Sequence, residues 1–314
     1  MKLGIDMGGM SIKMGLVNEE NKIIGRITIP TDLTVPYQTL VERMADAVQQ
    51  MLENAGMTLE QCGGIGIGSP GTIDAKQGVI LYSNNFGWEN VPIVEELKKH
   101  LDTRIEIAND ADAAALGEVC AGAAEGAENA VLLTLGTGVG SGVILDKKIF
   151  RGAMPGGCEL GHLSIRYDGI RCTCGRKGCL EAYASASALL RIAREKAAEH
   201  PESIMNEMCG NDLEQMNGKI PFDAAKAGDE AGMETVKEYE GYLACGIANV
   251  INTFRPEKVI LGGGVAAQKD NLTAPLKDLV KDMCFGGSHG HIADIVTSVL
   301  GNDAGIIGAA NLVV

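Results

Sequence analysis

Val131-Leu132-Leu133-Thr134-Leu135-Gly136-Thr137-Gly138-Val139-Gly140-Ser141-Gly142-Val143-Ile144-Leu145 is the stretch that decides the fold class. An apolar run, 131–135, feeds the small-residue turn Gly136-Thr137-Gly138, and a second apolar run, 142–145, follows. The chain opens on the same theme: 3–7 apolar, then Gly8-Gly9-Met10-Ser11, then 12–17. Short apolar runs bounded by turn residues read as buried strands. The chain therefore carries a weak internal duplication of strand, glycine turn and strand.

Around these runs strands and helices alternate. Residues 37–55 place apolar side chains at helical spacing, with Gly56 as the stop. Residues 22–30, 65–68, 79–82 and 104–108 read as strands, 91–101 as a short helix started by Pro92, and the segment after Asn109-Asp110 as a helix to Cys120. Further on, 180–199, 222–227 and 231–253 read as helices, 205–218 as polar and irregular, 259–261 and 292–296 as strands, and 304–312 as a closing helix. Such alternation predicts an α/β protein. A length of 314 residues allows two domains, each with its own core.

Composition narrows the class. The formal charge of −14 disfavours a nucleic-acid surface, which needs a positive footprint. The 42 glycines fall singly between apolar runs, which suggests tight turns and backbone-lined ligand loops rather than disorder. No uncharged run reads as a membrane span; the longest candidate, 130–145, is broken by four glycines. The first residues lack a signal-peptide pattern, and the odd number of cysteines, nine, points to a reducing, cytoplasmic setting.

Three glycine loops each follow a strand: Gly8-Gly9, Gly136-Thr137-Gly138 and Gly262-Gly263-Gly264. Ligands of open α/β sheets lie at the carboxyl ends of strands. The first loop follows Asp6, and an acid beside exposed backbone N–H groups suits a phosphate with a hydrated Mg²⁺; a plain β-hairpin is the other explanation. The second lacks the lysine of a Walker loop and the distant acid of a dinucleotide site. Asp110 either caps the helix that follows it or serves as a general base; Asp112, two residues into the helix, faces elsewhere. Carboxylates, amides and glycine backbone together suit a polyhydroxylated ligand.

His162, Cys172, Cys174 and Cys179 fall within eighteen residues. Three thiols and an imidazole are what a closed tetrahedral zinc site needs. The spacing is not that of a common zinc finger, and the remaining explanation is ordinary reduced thiols.

Taken together, these motifs resemble the ROK sugar kinases (repressor, open reading frame, kinase), and most of all the bacterial ROK glucokinases. Asp6-x-Gly8-Gly9 is similar to the first phosphate motif of the family, Gly136-Thr137-Gly138 to the second, and Leu261-Gly262-Gly263-Gly264 to the adenosine motif. Glu159-x-Gly161-His162 and Cys172-x-Cys174-Gly175-x-x-Gly178-Cys179-x-Glu181 are the most specific. The resemblance implies a two-domain actin-like ATPase (ribonuclease H-like) fold with a central cleft. The small domain would span 1–118 with a C-terminal helix at 301–314, and the large one 119–300. ATP and Mg²⁺ would be held by Asp6, Gly8, Gly9, Ser11 and the other two glycine loops. The sugar would be contacted by Gly71, Asn85, Asn109, Asp110, Glu159, His162 and Glu181, with Asp110 as base for the 6-hydroxyl and the zinc purely structural. It further implies a homodimer in the cytoplasm with a small-molecule sugar substrate. Family repressors carry an N-terminal DNA-binding segment, for which no room is expected ahead of Asp6. One departure stands out: the family usually has Thr where this chain has Met10. Another hexose as substrate, polyphosphate as donor, or a sugar-binding regulator are the alternatives.

Overall fold

The computed structural model describes residues 1–290 and 292–313. The first elements are β1 (Lys2–Met7), β2 (Ser11–Val17), β3 (Ile23–Pro30), α1 (Tyr37–Asn54), β4 (Ile65–Ser69), β5 (Thr72–Asp74), β6 (Val79–Ser83) and β7 (Trp88–Val91). Next come α2 (Ile93–Lys98), β8 (Ile105–Asn109), α3 (Asp110–Ala121), β9 (Ala130–Leu135), β10 (Val139–Leu145) and β11 (Lys148–Ile149). The chain continues through α4 (Glu181–Ala184), α5 (Ala186–Glu199), α6 (Ile204–Met208), α7 (Ile220–Lys226) and α8 (Glu230–Phe254). It ends with β12 (Lys258–Gly262), α9 (Asp270–Met283), β13 (Asp294–Thr297) and α10 (Ala304–Ala310).

Two five-stranded sheets share one plan, with orders β3-β2-β1-β4-β8 and β11-β10-β9-β12-β13. In the first, β1 pairs antiparallel with β2 and parallel with β4, and β4 pairs parallel with β8. In the second, β10–β11 is antiparallel and β12–β13 parallel. The shared order is the architectural form of the duplication at 3–17 and 131–145. Two compact units result: Met1–Leu132 with Gly142–Cys158 and Val299–Val314, and Leu133–Ser141 with Glu159–Ser298. Val314, the last residue of the expected closing segment, lies outside the described residues.

In the first unit, β1 is buried on both faces. On one face Ile5, Met7, Ile12 and Ile67 join the apolar stripe of α1, Leu40, Val41, Met44 and Val48, in a single core. The other face receives α10 at backbone distance. A Cβ on Gly4 would overlap the Ile306 carbonyl, one on Gly66 that of Ala309, and one on Gly308 that of Ala113 in α3. Much of the glycine content thus serves helix-on-sheet contact as well as turns.

Some elements differ from expectation. β10 begins at Val139 because the Gly136 N–H donates to the Gly138 carbonyl and closes the turn within three residues. The expected helix 180–199 is cut at Ser185, whose hydroxyl accepts the Ala188 N–H and caps α5. Val91 ends β7, and α2 starts only after Pro92. The 205–218 stretch overlaps a short helix, α6. No helix among the described residues is long and apolar enough to cross a membrane.

Candidate active site

β1, β4 and β8 run parallel side by side, so their carboxyl ends line up on one edge of the sheet. Asp6 stands at that edge, with Lys13 Nζ 3.9 Å from its Oδ2. Burial pushes the Asp6 carboxyl up from its ordinary value, Lys13 draws it down, and Asp110 pushes it up again. The loop after Asp6 closes through the Gly8 N–H, which donates to the Ser11 carbonyl at 3.0 Å. Gly9 and Met10 form its tip; the Met10 side chain is 90% exposed, and nothing lies within 4 Å of where a Gly9 Cβ would be.

At the end of β8, Asn109 and Asp110 take different places at the start of α3. Asn109 is the N-cap of α3: its Oδ1 accepts the N–H groups of Ala111 at 2.8 Å and Asp112 at 3.4 Å. Its Nδ2 donates to the Gly71 carbonyl at 3.1 Å, which joins β8 to the loop beyond β4. Gly71 has φ +116°, and a Cβ there would overlap the Tyr82 carbonyl. Asp110 is the first residue of the helix, and its Oδ1 accepts the Ala111 N–H at 3.0 Å beside the Asn109 cap. Burial pushes its carboxyl up, against the lowering effect of hydrogen bonds from the Ala111 N–H, its own N–H and the Asn109 amide. Asp112 is buried and, with Asn109, lines a cavity of roughly 160 Å³. Asn85 is exposed in the turn between β6 and β7, beside the Phe86–Trp88 ring pair.

In the second unit three motifs meet at one residue, Val139. Its N–H donates to Glu181 Oε2 at 3.0 Å. A Cβ on Gly161 would overlap its carbonyl oxygen, which is why glycine must precede His162. Two residues on, the Ser141 hydroxyl accepts the Leu160 N–H at 2.9 Å. The second glycine loop, the Glu159–His162 segment and the cysteine loop are thereby one assembly. Glu159 is exposed and precedes the short turn Leu160–His162. The other oxygen of Glu181, Oε1, accepts the Thr173 hydroxyl at 3.1 Å and the Cys172 thiol at 3.4 Å.

The four soft ligands converge. Ligand atoms of His162, Cys172, Cys174 and Cys179 all lie within 4.8 Å of one another. Cys174 Sγ is 3.6 Å from Cys179 Sγ, and Cys172 Sγ is 3.7 Å from His162 Nδ1. A tetrahedral zinc with its usual Zn–S bond length separates sulfurs by about 3.8 Å, so the donor set fits the ion. Gly175 at φ +90° and Gly178 at φ +80° provide the two reversals that aim the thiols inward.

The third glycine loop follows β12. Gly263, at φ +82°, lies so close to the Leu135 carbonyl that a Cβ would displace it, so the second and third loops are neighbours in this unit. Gly264 lies on the wall of an open cavity of about 560 Å³ that Lys219, Asp223, Gln268 and Asn271 also line.

The sequence model of the ROK family matches residues 2–314. The chain belongs to the ROK family. It is 36% identical over 312 residues to a glucokinase of Thermotoga maritima, covering 99% of this chain and 96% of that one. It is 35% identical to a glucokinase of Halalkalibacterium halodurans over 99% of this chain and 94% of that one. Among solved structures, a ROK family glucokinase from Streptomyces griseus in complex with glucose and AMPPNP superposes with a TM-score of 0.78 at 31% identity, covering 99% and 98% of the two chains. The fold of this ROK protein is the actin-like ATPase fold.

Sequence reasoning missed several residues that this ROK protein brings to its loops. Lys219 directly follows the irregular 205–218 stretch, Asp223 lies on α7, and Gln268 and Asn271 follow the third loop, all without a motif of their own. Thr31 and Ser187 also contact the first two loops from outside their motifs.

Proposed function

We propose that this chain transfers the γ-phosphoryl group of ATP to the 6-hydroxyl of glucose. The observation that carries the proposal is Asp110: a carboxylate beside the Asn109 cap of α3, raised in pKa by burial, at the same sheet edge as Asp6 and the first glycine loop. A general base works best with a pKa drawn towards the operating pH. The names of the similar proteins support glucose as substrate and ATP as donor.

In this mechanism Asp110 accepts the proton of the 6-hydroxyl as the oxygen attacks phosphorus. The N–H groups of the glycine loops orient the phosphates, and Asp6 would hold a hydrated Mg²⁺, which would supply charge neutralisation. Asn109 holds Asp110 and Gly71 in register, while Asn85, Glu159, His162 and Glu181 hydrogen-bond sugar hydroxyls. His162 Nδ1 faces the thiols, which leaves Nε2 as its sugar-facing nitrogen. Zinc on His162, Cys172, Cys174 and Cys179 would be structural, because four protein ligands leave no place for a catalytic water. Its work would be to hold the loop that carries Glu181. Family resemblance favours a cytoplasmic homodimer, which sedimentation and cell fractionation test.

The decisive experiment is ADP release with Mg-ATP on glucose, mannose, N-acetylmannosamine, N-acetylglucosamine and fructose, with Asp110→Asn as control. Turnover on glucose that the substitution abolishes supports the proposal. Faster turnover on another sugar moves the assignment to that hexose. Sugar binding without ADP release from folded, zinc-loaded protein sinks both and leaves a sugar-binding regulator.

A further inference from the structure

Both phosphate-type glycine loops are gripped from outside by a hydroxyl that no motif includes. In the first unit, the Thr31 hydroxyl donates to the Gly8 carbonyl at 2.6 Å, and the Thr31 N–H donates to the Met10 carbonyl at 3.1 Å. In the second unit, the Ser187 hydroxyl donates to the Thr137 carbonyl at 2.9 Å, and the Ala186 N–H donates to the Gly136 carbonyl at 2.8 Å. Thr31 lies directly after β3 and Ser187 in the first turn of α5, so each donor stands on or beside a regular element.

A trans peptide points its C=O and its N–H in opposite directions. Fixing a carbonyl on one side therefore aims the next residue's N–H to the other. Thr31 sets the Gly8–Gly9 peptide and so the direction of the Gly9 N–H. Ser187 sets the Thr137–Gly138 peptide and the Gly138 N–H, and Ala186 sets the Thr137 N–H in the same way. Glycine peptides have no Cβ to restrict them, so without such anchors they rotate readily. A row of N–H groups held in one direction is what an anion such as a phosphate requires.

We propose that Thr31 and Ser187 are positioning residues that preset the two glycine loops for the phosphates of the nucleotide. The inference rests on the kinase reading of the loops. It also means that the geometry of the first loop is imposed from Thr31 and not from the Met10 side chain at the tip.

The test titrates purified protein with Mg-AMPPNP by calorimetry, and measures ADP release and melting temperature in parallel. Thr31→Val and Ser187→Ala remove the hydroxyls, and Thr31→Ser and Ser187→Thr retain them. The expected result is a loss of about three- to tenfold in AMPPNP affinity for each hydroxyl-free variant, as for one lost hydrogen bond. Glucose affinity and melting temperature should stay near wild type, and Thr31→Ser and Ser187→Thr should restore the nucleotide affinity. Unchanged AMPPNP affinity in Thr31→Val and Ser187→Ala overturns the proposal, as does a loss that the conservative variants share. Wild type that binds AMPPNP without turning over any sugar refutes the kinase assignment alone. Wild type that binds no AMPPNP refutes both.

Discussion

The Glu181 carboxylate accepts the Val139 N–H at 3.0 Å, across 42 positions of sequence, and so fastens the end of the cysteine loop to the start of β10. Its second oxygen is engaged by Thr173 and Cys172. A bond from a charged acceptor to a backbone N–H is worth more than a neutral one, roughly 1.5–3 kcal/mol. Glu181→Ala should therefore loosen the second glycine loop as well as remove the sugar contact proposed for it. We expect kcat/KM to fall about 10²-fold for ATP and glucose alike, on the scale of 1.4 kcal/mol per decade. Zinc content, measured by mass spectrometry, should stay at one ion per chain. A fall confined to the glucose KM would mean that the tie to Val139 is idle.

Asp110→Asn separates catalysis from stability. Loss of the proposed general base should lower kcat by about 10²–10⁴-fold. Stability should move the other way. Because burial raises the folded-state pKa of Asp110, its stabilising contribution is complete below the unfolded pKa and is lost as pH rises through the folded one. Above the folded-state value the ionised group is a cost, so there the asparagine variant should melt no lower than wild type. The same upward shift places the acid limb of kcat/KM against pH above the ordinary carboxylate range. An acid limb at or below the ordinary aspartate value would remove Asp110 from the base role.

Met10 tests how much the tip of the first loop contributes by its side chain. The side chain is 90% exposed. Met10→Thr, which restores the residue usual in the family, should leave the melting temperature unchanged. It should raise kcat/KM for ATP by no more than about tenfold, the value of one hydrogen bond. A hundredfold gain would mean that the native chain is selected for something other than fast turnover.

Glycines that share a motif should differ in tolerance. A Cβ at Gly161 would overlap the Val139 carbonyl, whereas at Gly9 nothing lies within 4 Å. Overpacking typically costs about 1–3 kcal/mol. Gly161→Ala should lower the melting temperature by several degrees and disturb both Glu159 and His162. Gly9→Ala should fold like wild type and lose nucleotide affinity alone. Thermal melts of the pair decide it, and equal stability would contradict the packing of Gly161 on β10.

These cases mark where the sequence was legible. The Cys/His cluster could be read directly, because three thiols and an imidazole within eighteen residues stand out in any sequence, and their ligand atoms converge in the fold. The glycine loops could be read because each follows an apolar strand. Asn109 and Asp110 could not be assigned between capping and catalysis, since either can accept the first N–H groups of a helix; the side-chain contacts of Asn109 make it the cap, and the base role of Asp110 is what its asparagine variant tests. Gly4, Gly66 and Gly308 have no local signal, because α10 and β1 or β4 meet from opposite ends of the chain. The helix α9 was hidden by Pro275 within it. The Glu181–Val139 tie joins residues whose separation no periodicity records.

Glu240 offers a test that is independent of the active site. It lies on α8, only 6% exposed, and its Oε1 has no hydrogen-bond partner among the described residues. Burial pushes its carboxyl from 4.5 up to about 7. Below the unfolded value the group is neutral in both states and costs nothing. Between that value and about 7 the unfolded chain gives up its proton while the folded one keeps it, so stability falls as pH rises. Above about 7 the penalty is constant, on the order of 3 kcal/mol. Glu240→Gln removes the titration but keeps the shape. Melting curves of the two proteins should run in parallel at the acid end and separate by several degrees between pH 5 and 8, with the glutamine variant gaining. Parallel curves across the whole range would mean that Glu240 ionises as easily in the folded chain as in the unfolded one.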